Sequence, residues 1–155
     1  MQLSEFLQPG DVVVDLAAPS KLKVLEFLAK RAGETLGLAV HEILDPLHAR
    51  EKLGSTGIGE GVAIPHTEVA GLARPFGMFV RLARPIDFDA IDDIPVDLVF
   101  LLLVPADGGK DHLNLLAAVA RQLRSPEVLK KLRQAGSAEA CWAVVTSGEV
   151  LRGDG

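Results

Sequence analysis

The sequence predicts a three-layer α/β fold, with one β-sheet held between helices in the order β-αα-βββ-ααα. Three observations carry that expectation. Val96–Val104 is nearly all apolar and so requires cover on both faces of the strand it forms. Two segments before the middle of the chain and three after it repeat apolar residues at helical spacing. One strand-like run precedes the first of those groups and three fall between the two, an order that suits a sheet covered on each side.

Leu3–Leu7 reads as a helical turn, and Pro9, Gly10 and Asp11 as the turn that follows it. Val12, Val13 and Val14 are β-branched and predict a short strand ending near Leu16. Ser20 is a suitable N-cap for a first helix through Leu22, Leu25, Leu28 and Ala29, with Gly33 as its stop. A second helix is expected over about Leu38–Leu53, ended by Gly54. Pro46 interrupts its pattern, leaving two alternatives: a kink at Pro46, or a shorter helix capped by Asp45 and beginning at Pro46.

Val62, Ala63 and Ile64 predict a short buried strand, and Phe76–Leu82 alternates well enough for another. Arg84–Pro95, rich in Pro, Asp and Ile, reads as a loop before the central strand Val96–Val104. Pro105, Ala106, Asp107, Gly108 and Gly109 break that strand. A helix then starts near Asp111 or His112, with Leu113, Leu116, Ala117, Ala120 and Leu123 on its buried side. Ser125, Pro126 and Glu127 open the next helix, which ends by Gly136. Ser137 opens the last, which runs through Cys141, Trp142 and Val145 to Gly148. Residues 1–148 read as one domain and 149–155 as a frayed tail.

Composition excludes several classes of function. With 155 residues, 48% of them hydrophobic, the chain can bury a sizeable core. A net charge of −5 argues against nonspecific nucleic-acid or anionic-membrane binding, and 5% aromatics without Tyr argues against base stacking. The longest apolar run, Leu98–Val104, is too short to insert across a membrane. The N-terminal residues lack the pattern of a secretion signal, and one cysteine, Cys141, allows no internal disulfide, so a cytoplasmic setting is expected.

The chemistry points to Gly57–His66, reading GIGEGVAIPH. Gly57, Gly59 and Gly61 at alternate positions suit a loop that brings backbone amides near a ligand. Pro65 cannot donate to a sheet ladder, so the strand is expected to stop there and His66 to leave the sheet edge in a fixed direction. An imidazole so placed suits nucleophilic or acid–base work, although a hydrogen-bonded loop histidine would read the same way. Of the other histidines, His41 and His48 share a helix face that reads as solvated. No histidine pair has the spacing of a helical metal site, so neither metal nor cofactor is expected. There is no GxSxG elbow, and GSTGIGEG lacks the Lys and Ser/Thr of a phosphate-binding loop for ATP.

What remains is a His66 nucleophile with Arg50 at the end of the second helix and His112 at the start of the helix after the central strand. Such a set suits a phosphoryl group carried on imidazole. The residues alone leave open whether Arg50 only offsets its helix dipole and His112 only caps its helix.

REKLGSTGIGEGVAIPH (50–66), FDAIDDIPVDLVFLLLVPAD (88–107) and DHLNLL (111–116) resemble the IIA domain of the bacterial phosphoenolpyruvate-dependent phosphotransferase system, in the nitrogen-regulatory branch of its mannitol/fructose class. The resemblance runs over nearly the whole chain. It implies an α/β/α sandwich with a mixed sheet, and a phosphocarrier whose role is regulatory. His66 matches the histidine phosphorylated on Nε2 by a phosphorylated HPr-like protein (NPr), and Arg50 and His112 match the residues that stabilise the phosphoryl group. Partners implied are regulated proteins such as potassium-transport components, sensor kinases or stringent-response enzymes. Two departures are Pro46, in a helix the family usually leaves unbroken, and Asn114, where some relatives carry a further His. Two other outputs fit the same resemblance: a fructose- or mannitol-type IIA that passes phosphate to a IIB domain, and a binding module that is never phosphorylated.

Overall fold

The computed structural model describes residues 2–107 and 110–147. The expected breaks at Gly108, Gly109 and Gly148 and the expected tail at 149–155 lie outside these residues. Two single-turn 3-10 helices, Leu3–Glu5 and Pro9–Asp11, precede β1 (Val12–Leu16), α1 (Lys21–Leu36) and α2 (Val40–Leu53). Then come β2 (Gly57–Gly59), β3 (Val62–Ala63), β4 (His66–Val69), β5 (Phe76–Ile86) and β6 (Val96–Pro105). The chain closes with α3 (Lys110–Gln122), α4 (Pro126–Gln134) and α5 (Ala138–Thr146). The predicted order holds, with five strands in the middle group where three were expected.

The sheet is mixed, with strand order β1-β5-β6-β3-β2 and with β4 also paired to β6. β6 lies at its centre, antiparallel to β5 and parallel to β3 and β4. Its side chains alternate as a two-sided burial demands. Val99, Leu101 and Leu103 join the core under α1 and α2, whereas Leu98, Phe100, Leu102 and Val104 join the core under α3, α4 and α5. These two cores make the three layers. Among the described residues no helix is long and apolar enough to cross a membrane.

The helix starts follow the sequence closely because each is a local hydrogen bond. Ser20, Ser125 and Ser137 each accept a backbone N–H three residues on, at 3.1–3.3 Å. The end of α1 does not follow it. Gly33 is internal to the helix, and α1 continues to Leu36 with Gly37 as its left-handed cap at φ 72°. A side chain at 33 would have its Cβ 2.7 Å from the Leu38 carbonyl oxygen, so close packing of the returning chain explains this glycine better than termination does. Pro46 lies within an unbroken α2, which excludes a helix starting at Pro46. The helix instead goes without the hydrogen bond that residue 46 would donate to Glu42.

Candidate functional site

β3 and β4 are two pieces of one strand. Val62, Ala63, His66 and Thr67 face Leu98, Val99, Leu102 and Leu103 in a single continuous register along β6. Pro65 interrupts the ladder only as a donor, since its carbonyl accepts the Leu102 N–H at 3.0 Å. The expectation that the strand stops at Pro65 and that His66 leaves the sheet is therefore corrected: His66 is the first residue of β4. β6 pairs with the chain on both sides of the proline, through Val62 and Ala63 before it and His66 and Thr67 after it.

His66 is half-buried, and its Nδ1 lies 2.8 Å from the Ile64 carbonyl oxygen. A carbonyl can only accept, so Nδ1 carries the proton and Nε2 keeps a lone pair. Burial pushes the ring below the ordinary imidazole value of 6.5, and the Arg50 guanidinium pushes the same way. The Ile64 carbonyl and the Glu51 carboxylate act against them, and the net direction is downward. The ring is thus neutral near pH 7.

Arg50, in the last turn of α2, donates to the Gly54 carbonyl at 2.8 Å. Its neighbour Glu51 is held by Lys21 at 2.7 Å, by the Thr56 N–H at 3.2 Å and by the Thr56 hydroxyl. His112, in the first turn of α3, has Nδ1 3.2 Å from Glu68. Arg50, His66 and His112 line one cavity of 280 Å³ together with Glu68, Leu102 and Leu113. A second cavity of 320 Å³ shares Arg50, His66, Leu113 and Leu116 with the first and is walled further by Ser55, Thr56, Ile58 and Arg124 among others. The three residues singled out in the sequence therefore meet, from α2, β4 and α3.

The glycine loop does something other than expected. Gly57, Gly59 and Gly61 line neither cavity. The Gly57 N–H is taken by the Ser55 hydroxyl at 3.0 Å and the Glu60 N–H by Asp92 at 2.9 Å. Gly57 is needed instead because a Cβ there would fall 2.8 Å from that of Ala90. The loop fixes the approach of 87–94 to β2, and with it the start of the strand that carries His66. Sequence reasoning missed Glu68 and Thr56; that the second ring nitrogen of His66 meets a backbone carbonyl was expected, and the structure identifies that carbonyl as Ile64's. For Glu68 a signal existed, since residues 66 and 68 must share a face of any strand.

The family model described as phosphoenolpyruvate-dependent sugar phosphotransferase system, EIIA 2, matches residues 5–148. A nitrogen regulatory protein of Bradyrhizobium diazoefficiens is 44% identical over 145 residues, spanning 94% of this chain and 95% of the relative. A PTS system fructose-specific EIIA component of Haloferax volcanii is 47% identical over 94 residues, 61% of each chain. Among solved structures, nitrogen regulatory protein IIA-Ntr from Neisseria meningitidis superposes with a TM-score of 0.89 at 37% identity, over 93% of this chain and 99% of that one. With this fold and these similarities over nearly its whole length, the chain belongs to the EIIA 2 family of the phosphoenolpyruvate-dependent sugar phosphotransferase system, on the side of its nitrogen-regulatory IIA proteins.

Proposed function

We propose that this chain is a regulatory phosphocarrier of the cytoplasm that accepts a phosphoryl group from a phosphorylated HPr-like protein (NPr) on Nε2 of His66. The observation that carries the reading is the 2.8 Å contact between Nδ1 and the Ile64 carbonyl, which leaves Nε2 unprotonated on a ring that burial keeps neutral. The nucleophile is then ready without a separate base. Nε2 attacks phosphorus as the donor's N–P bond breaks, and the electron pair returns to the donor imidazole. Arg50 and His112, on the same cavity wall, offset the charge of the transferring group. Once phosphorylated, the site gains about −1.5 to −2 charge, and a protein that docks over it in one state is repelled in the other. Regulated partners of the kind the resemblance implies, such as potassium-transport components or sensor kinases, would read that change.

Incubation with phosphoenolpyruvate, enzyme I and NPr, followed by mass spectrometry, tests this directly. One phosphate on His66, lost in His66→Ala, is the expected result. Phosphate retained in His66→Ala, or none on the wild-type chain, would overturn it. The identity shared with a fructose-specific EIIA component favours a second reading, in which phosphate passes on to a IIB protein. Transfer from the phosphorylated chain to a purified fructose-type IIB protein distinguishes the two.

A further inference from the structure

Strand alternation sorts the side chains of β4 onto two faces. Val69 packs into the core under α1 and α2, so Thr67 shares its side while His66 and Glu68 face α3. The first turn of α3 brings His112 over that pair, with Nδ1 3.2 Å from Glu68 Oε2. The imidazole of His112 is 14% exposed. Its second nitrogen, Nε2, is buried and has no hydrogen-bond partner among the described residues. The ring nevertheless forms part of the wall of the 280 Å³ cavity that Arg50 and His66 also line. A buried ring nitrogen without a partner costs free energy unless a ligand comes to use it.

We propose that Glu68 is a positioning residue for phosphoryl transfer: it accepts the Nδ1–H of His112 and so holds that ring with Nε2 available to the group arriving on His66. The inference rests on the reading of His66 as phosphoryl acceptor. A carboxylate on one imidazole nitrogen fixes which nitrogen faces a ligand, as it does for histidines that bind metals. When His112 carries both ring protons, Nδ1–H lies on Glu68 and Nε2–H donates to a phosphoryl oxygen, where its positive charge offsets the negative charge of the transferring group. Neither proton of His112 moves in the step, and His66 keeps its own Nδ1 proton on the Ile64 carbonyl. Among the described residues, the other charged or titratable groups lining this cavity are Arg50 from α2 and His66 from β4, and β6 contributes only Leu102 and Val104. Glu68 itself is 57% exposed, so replacing it leaves both cores intact.

The test is a double-mutant cycle on the rate at which saturating phosphorylated NPr charges His66, followed by radiolabel. Glu68→Ala slows charging by about five- to tenfold in the wild-type background, the size of one orienting hydrogen bond. In a His112→Ala background the same change costs less than about twofold, because the residue it orients is gone. Glu68→Gln keeps a side-chain oxygen that accepts the Nδ1–H but removes the charge, so beside an intact His112 it loses less rate than Glu68→Ala, and in the His112→Ala background it also costs less than about twofold. A loss of equal size in both backgrounds, or no loss beside an intact His112, would overturn the role of Glu68 while His66 remained the acceptor. No phosphate on wild-type His66 would instead sink the parent reading, and this one with it.

Discussion

Gly61→Ala probes how the segment leading to His66 is held. Glu60 and Gly61 have φ of 59° and 79°, the pair of left-handed residues that a two-residue hairpin turn between β2 and β3 requires. A Cβ at 61 would lie 2.5 Å from Nη2 of Arg133 and 3.0 Å from Oδ1 of Asp97. That arginine donates to the Glu60 carbonyl at 2.6 Å and to both Asp97 oxygens at 2.8–3.2 Å, tying the hairpin to α4. Alanine in the left-handed region costs about 1–2 kcal/mol. Displacing a partly exposed arginine from its partners adds about 1 kcal/mol. The sum, about 2–3 kcal/mol, lowers the midpoint of thermal unfolding by roughly 5–10 °C in a chain of this size. Fluorescence of Trp142, the one tryptophan in the sequence, follows the transition. In an Arg133→Ala parent only the backbone cost survives, so Gly61→Ala should then cost about 1–2 kcal/mol. The same cost in both parents would refute the clash with Arg133. Gly10→Ala, with no atom of the described residues within 4 Å of the added Cβ, serves as control and should change stability by less than about 0.5 kcal/mol.

Three further outcomes follow from the same geometry. His66 titrates below its ordinary value when folded, so the unfolded chain takes up its proton first as the pH drops. Stability therefore falls as pH drops through about 6.5 and levels off below the folded value, and His66→Asn flattens that slope in urea titrations at stepped pH. Arg81 donates to the Leu132 carbonyl at 2.9 Å and the Ala135 carbonyl at 2.6 Å at the end of α4; Arg81→Ala should lower urea-measured stability by about 2–3 kcal/mol with no change in the phosphorylation site. Pro46→Ala restores a helical N–H within α2 and should raise stability by about 1–3 kcal/mol, the helix gain exceeding the entropy returned to the unfolded chain; a lowered melting temperature would mean that the ring packs better than its missing hydrogen bond suggests.

Much of this protein was legible because its signals are local. Ser20, Ser125 and Ser137 cap helices through bonds spanning three residues, and the apolar run of β6 can only be satisfied between two layers. The sequence likewise picked out His66, Arg50 and His112 as chemically apt, and the family to which the chain belongs. Tertiary structure decided what depends on residues far apart in the chain. Gly33 looked like a stop and is a contact with Leu38; Pro65 looked like a strand end and is bridged by β6; the glycines looked like a ligand cradle and make room for Ala90 and Arg133. In each case the backbone preference of one residue was readable, but the partner that uses it arrives only on folding. The same holds for the cavity itself, since α2, β4 and α3 bring Arg50, His66 and His112 together only when the sheet exists to set their distance. Which ring nitrogen of His66 is free depends on one carbonyl two residues away, and that geometry is fixed by the strand pairing on either side of Pro65.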